Sequence, residues 1–139
     1  MVNFDELAKE YFEAFDLKDR NMSHHAIQKI VNSVASNLPK DNPEALSWFI
    51  AALKDPQKKW FVAKVMEKVM PVPISLLDDL VLAALLEPNP SNNKLFVLPC
   101  VKTFGADQVR KRMVELSNYP GVKENNGFDM VSYWVRDIV

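Results

Sequence analysis

A chain of 139 residues, 48% hydrophobic and 25% charged, is long enough for one domain with a sizeable core, residues 1–139, and too short for two comfortable ones. Its 17 basic and 18 acidic side chains leave a net charge of −1, so no global field draws in nucleic acid or an anionic membrane. A single cysteine excludes an internal disulfide, Met1 to Glu10 is acidic rather than signal-like, and the longest apolar run, Val81 to Leu86, falls far short of the roughly 18 to 20 residues of a membrane span; a reducing, cytoplasmic setting is expected.

The punctuation along the chain is helical. Asn3 with Glu6 three residues on predicts a capped first helix, with Phe4, Leu7, Ala8, Tyr11 and Phe15 on its apolar face, running to about Leu17. Ser23 is expected to open a second helix that ends near Leu38, before Pro39. Asn42 and Pro43 open a third to about Lys54, and Asp55 and Pro56 repeat that signal for a fourth reaching about Met70. Pro71-Val72-Pro73 is a stiff stop, after which Ser75 with Asp78 predicts the cap of a fifth helix lasting to Glu87. A polar loop, Pro88 to Asn92, precedes a sixth helix from about Asn93 to Phe104, which Gly105 terminates. The seventh covers about Ala106 to Asn118. Pro120 and Gly121 start a polar loop, and Met130, Val131, Trp134, Val135 and Ile138 give the last helix one apolar side. No segment alternates convincingly as a strand.

Three of these helices carry the same stripe at a fixed interval. Ile27, Ile30, Val31 and Val34 recur thirty-five residues later as Val62, Val65, Met66 and Val69, and again as Val97, Cys100, Val101 and Phe104. The second helices repeat too: Ala51-Ala52-Leu53-Lys54-Asp55-Pro56 aligns with Ala83-Ala84-Leu85-Leu86-Glu87-Pro88. A helix pair of this size cannot bury its apolar face alone, so a fixed period implies stacking of successive pairs, with terminal helices shielding the ends. The expected fold class is therefore all-α, a right-handed α-α superhelix of about eight helices. Its repeats fall at about 23–54, 55–87 and 88–118, with caps at 1–22 and 119–139.

The segment Ala51-Ala52-Leu53-Lys54-Asp55-Pro56-Gln57-Lys58-Lys59, an alanine-rich helix end running through Leu-x-Asp-Pro into basic residues, resembles the boundary between HEAT-like repeats of the armadillo/HEAT type. Leu85-Leu86-Glu87-Pro88 is similar to a second, weaker copy, and Gly105 matches the short turn within a pair. The Val-Arg pair common early in such repeats is missing after Asp55 and Pro88. The resemblance implies a solenoid that serves as a binding scaffold.

Reactive constellations are not expected, so no enzyme chemistry, cofactor or metal is assigned. His24 and His25 are adjacent and diverge by about 100° on a helix, unlike an i, i+4 metal pair. Asp78 and Asp79 complement a helix N-terminus, and Cys100 sits on an apolar stripe where a thiol is buried and inert. Trp48, Trp60 and Trp134 are candidate anchors, with core packing the better account of at least two. Pro99 removes a helical hydrogen bond, a cost of about 3 kcal/mol, and aligns with Lys29 and Lys64, which predicts an outer-face position and a bend.

The function expected is non-catalytic binding of a macromolecule, a protein above all, along the inner face formed by the second helices. The repeat alignment places Ser47, Asp79 and Lys111 at one level of that face and Ala51, Ala83 and Glu115 at the next. The alternative is nucleic-acid binding through a basic strip of Lys58, Lys59, Lys64 and Lys68 with Lys102, Arg110, Lys111 and Arg112. Glu67, Asp107 and Glu115 interrupt that strip.

Overall fold

Asn3 starts the first helix as expected: its Oδ1 accepts the backbone N–H of Glu6 at 3.1 Å, satisfying one of the donors a helix N-terminus leaves open. The structure, a computed structural model, describes residues 3–89 and 91–135. Among them it is all-helical, with α1 Phe4–Ala14, α2 Arg20–Ser36, α3 Pro43–Ala52, α4 Lys58–Lys68, α5 Leu77–Leu86, α6 Lys94–Phe104, α7 Ala106–Leu116 and α8 Gly127–Ser132. A 3-10 turn, Ile74–Leu76, leads into α5. No strand occurs among the described residues, and none of their helices is long and apolar enough to cross a membrane.

Several helix starts differ from the sequence expectation for local reasons. α2 begins at Arg20 rather than Ser23, because the Asp19 carboxylate takes the N–H groups of Asn21 and Met22 at 2.9 and 3.1 Å. Ser23 instead donates its hydroxyl to the Ala14 carbonyl at 2.6 Å, tying the end of α1 to the first turn of α2. Asn42 caps α3 with Pro43 at the first helical position, as expected. Asp55 does collect the N–H groups of Gln57 and Lys58, yet α4 starts only at Lys58, leaving Pro56 in the turn. Ser75 does not cap α5; the 3-10 turn occupies that place. α8 ends at Ser132, so Trp134 and Val135, expected on its apolar side, follow it instead, and Ile138 lies outside the described residues.

Two compact units divide the chain, one up to Val69 and one from Met70. In the first, α1 packs on α2 and α4, α2 packs on α4, and α3 packs on α4. Its core is aromatic at one end. The Phe4 ring lies 4.8 Å from Phe49 in an edge-to-face arrangement, and Tyr11 lies 5.1 Å from Phe61, contacts worth a little beyond the area they bury. Val31, Val62, Val65 and Met66 complete it, so the repeated stripe is an interior surface in both α2 and α4.

In the second unit α5 is the centre: α6, α7 and α8 all pack on it. Its sequence, Leu-Asp-Asp-Leu-Val-Leu-Ala-Ala-Leu-Leu, is apolar around most of its circumference, which suits a helix covered on several sides. Leu80, Val81, Ala84 and Leu85 are fully buried, as are Phe96, Val97 and Cys100 on α6, Val109 and Met113 on α7, and Val131 on α8. α6 passes to α7 through Gly105 alone, at φ 88° and ψ 157°, a backbone region essentially reserved for glycine. Pro99 is not on an outer face: it is buried within α6. The outer positions of Lys29 and Lys64 carry over to α6 only if all three helices expose the same side, whereas Phe96, Val97, Pro99 and Cys100 bury a broader arc of α6.

Candidate protein-interaction surface

On the first unit, Asp5 in the opening turn of α1 gathers two donors from distant parts of the chain. Its Oδ1 accepts the indole N–H of Trp48 at 2.9 Å and the Lys58 ammonium at 3.2 Å, linking α1, α3 and the start of α4. The Trp48 hydrogen bond, followed by that of Lys58, holds the Asp5 carboxyl below its ordinary value. Trp48 is half-buried, with its ring 5.5 Å from Phe4 and 5.0 Å from Phe49. It serves the core with its face and the surface with its nitrogen.

The Asp5–Lys58 pair separates two grooves. The larger, about 520 Å³, runs along α1 past Ala8, Lys9, Phe12, Glu13, Phe15 and Asp16 to Gln57 at the start of α4. The smaller, about 240 Å³, is bordered by Trp48, Ala51, Ala52 and Asp55. Asp5 and Lys58 line both. Phe15, which lines the larger groove, is 56% exposed, and Leu17 and Met22, on the α1–α2 turn and the first turn of α2, are exposed as well.

The side chains expected on the inner face have separate placements. Ser47 is exposed on α3 and satisfies its own hydroxyl by donating to the Glu44 carbonyl at 2.6 Å. Ala51, one turn further, is exposed and lines the smaller groove. Asp79 and Ala83 are half-buried on α5, and Lys111 and Glu115 are exposed on α7. Ser47 and Ala51 belong to the first unit and the other four to the second.

Much of the basic strip is engaged locally. Besides Lys58 with Asp5, Lys64 lies 3.6 Å from Glu67, and Lys59 sits over the Trp60 ring at 4.8 Å. In the second unit Arg110 pairs with Asp107 at 3.0 Å and donates to the Val135 carbonyl at 3.1 Å. Arg112 grips Asp78 with Nε and an Nη at 2.6 and 2.9 Å, and also meets Glu115 at 2.7 Å. Lys68, Lys102 and Lys111 are exposed. Each carboxylate neighbour cancels field that a phosphate would otherwise feel.

Cys100 is fully buried, and burial alone pushes its thiol up to about 12, far from a nucleophile's range. His24 and His25 are exposed on α2, and no group of three or more His, Cys, Asp or Glu side chains among the described residues is placed to hold a metal.

In the sequence the basic clusters stand out as a surface, whereas the acidic start, Met1 to Glu10, reads only as unlike a signal segment. From Phe4 to Asp19 the chain has six carboxylates, Asp5, Glu6, Glu10, Glu13, Asp16 and Asp19, against Lys9 and Lys18. Charge counted helix by helix rather than over the whole chain reveals it. Comparison with models of known families, with curated proteins and with solved structures finds no match to the chain.

Proposed function

We propose that this chain is a non-catalytic protein-binding module, built as a HEAT-like helical repeat and working through side chains of its second helices: the exposed Ser47, Lys111 and Glu115 and the half-buried Asp79. The observation that carries the reading is the grooved surface of the first unit. Ala51, next to Ser47 on α3, opens onto a channel that has an aromatic wall at Trp48 and a charged ridge at Asp5 and Lys58. A part-exposed Trp is among the side chains enriched where proteins meet, and a charge pair beside it suits the polar rim of such a surface.

Two packing relationships support the repeat. α2 lies on α4 and α5 lies on α7, as first helices and second helices of successive pairs do in a layered array. The single, buried Cys100 suits a reducing compartment such as the cytoplasm.

A photo-crosslinking amino acid placed at Ser47 or at Lys111 tests the reading in native cell extract. The expected result is one discrete protein adduct from these positions and none from Lys29, on the exposed side of α2. Equal labelling from all three positions overturns it. So does binding to duplex DNA that is abolished by charge reversal at Lys68 and Lys111 and collapses with added salt, which assigns the surface to nucleic acid instead.

A further inference from the structure

We propose that the groove between α1 and the start of α4 receives a cationic, amphipathic helical segment of another protein. This rests on the protein-binding reading above and specifies the partner's chemistry. The floor is apolar, with Ala8 and the half-buried Phe12, and it ends in the exposed ring of Phe15. Phe12 and Phe15 stand three residues apart on one helical side, the spacing at which a partner helix interlocks its own apolar side chains.

The rim sets the sign of the charge. Glu13 and Asp16 border the groove, are exposed, and form no ion pair among the described residues. Lys58 on the opposite side is neutralised by Asp5, so Lys9 is the one groove-lining cation without a carboxylate pair among the described residues. Glu6 and Glu10 on α1 add to the same local field. An exposed apolar strip beside uncompensated carboxylates fits a partner with Leu- or Phe-type anchors flanked by Lys or Arg, and it repels anionic lipid and phosphate backbones. The 11 residues of α1 offer about 16 Å of track at 1.5 Å per residue, enough for roughly three helical turns of the partner. The basic stretch of this chain itself, α7, already buries its apolar residues Val109 and Met113 in the second unit, which disfavours a second copy as the occupant.

The test uses the full chain and a fluorescently labelled synthetic helix with Leu at i, i+3, i+4 and i+7 and Lys elsewhere. Fluorescence anisotropy is expected to show saturable binding that weakens with salt, as exposed charge pairs do beyond a Debye length of about 8 Å at physiological ionic strength. Glu13→Lys with Asp16→Lys is expected to weaken it about tenfold or more, a loss that follows charge reversal at an interface rim. Phe15→Ser, which empties an exposed position, is expected to weaken it as well. A charge reversal at Glu44, exposed in the first turn of α3 and outside the lining of this groove, leaves it unchanged.

Equal binding of a scrambled peptide of the same composition reduces the effect to plain electrostatics and overturns the proposal. So does insensitivity to the Glu13 and Asp16 changes, a sedimenting dimer that the same changes dissociate, or groove-dependent binding to phosphatidylserine vesicles. If crosslinking from Ser47 succeeds while the peptide fails, the groove assignment falls and the protein-binding reading stands. If both fail, the broader reading falls with it.

Discussion

Gly127, the first residue of α8, lies against the backbone of Leu85 so closely that a Cβ on it would collide with the Leu85 carbonyl. The neighbouring Asn125 donates its side-chain amide to that same carbonyl at 3.1 Å, so the loop before α8 closes over the end of α5. Backbone meets backbone here, and neither side has a rotamer with which to yield.

Gly127→Ala is therefore expected to destabilise the second unit at or above the upper end of the about 1–3 kcal/mol typical of overpacking. Gly105→Ala provides the contrast. It meets nothing within 4 Å, and its cost is confined to the positive φ of 88°, about 1–3 kcal/mol for such a backbone region. Urea unfolding followed by circular dichroism measures both, with Gly127→Ala the more damaging.

Asp5 is expected to titrate below its ordinary value of 3.8, because the Trp48 indole and the Lys58 ammonium favour its charged form. A carboxyl whose folded pKa is depressed adds stability above the unfolded value and loses it as pH falls through the folded one. The Trp48 indole N–H resonance reports this directly. It is expected to shift in the acid range below pH 3.8, and Asp5→Asn is expected to abolish that shift.

Cys100 is expected to resist thiol reagents in the folded chain at pH 8 and to react fully in concentrated urea. Burial raises its pKa from 9.0 to about 12, so its contribution to stability is complete below 9 and declines as pH rises from there towards 12. Cys100→Ala flattens that alkaline decline while costing core packing, and a pH series of urea midpoints separates the two effects.

Asn93 is buried at 0% exposure, and neither Oδ1 nor Nδ2 has a hydrogen-bond partner among the described residues. A buried amide without partners bears its full desolvation penalty, about 1–3 kcal/mol. Asn93→Leu, which keeps the number and branching of the heavy atoms, is expected to leave stability unchanged or raise it within that range, whereas Asn93→Asp lowers it by burying a charge. Thermal unfolding of the two variants decides the point.

The parts of this structure that the sequence made legible are those settled within one helical turn. Asn3 and Asn42 announce their helices because a cap needs only a side-chain oxygen and an N–H two or three residues on. Gly105 ends α6 because few residues other than glycine accept its φ. The stripes of Ile27, Val62 and Val97 are interior because a 3.6-residue period groups apolar positions on one side without reference to what covers them. Asp19, which displaced Ser23 as a cap, shows the limit even here, since two competent residues a few positions apart differ only in which first meets the N–H groups.

Helical class, number and the boundaries at Asn3, Asn42 and Gly105 were thus determined by sequence alone, through short-range hydrogen bonding and periodicity. The tertiary structure alone decided which charges are spent and which remain. Lys58 is quenched by a carboxylate 53 residues away and Arg112 by one 34 residues away, while Glu13 and Asp16 are left open beside a groove. Coulomb and hydrogen-bond energies depend on separation in space, and only the packing of helices brings such distant positions to within 3 or 4 Å, so no count along the chain reveals them.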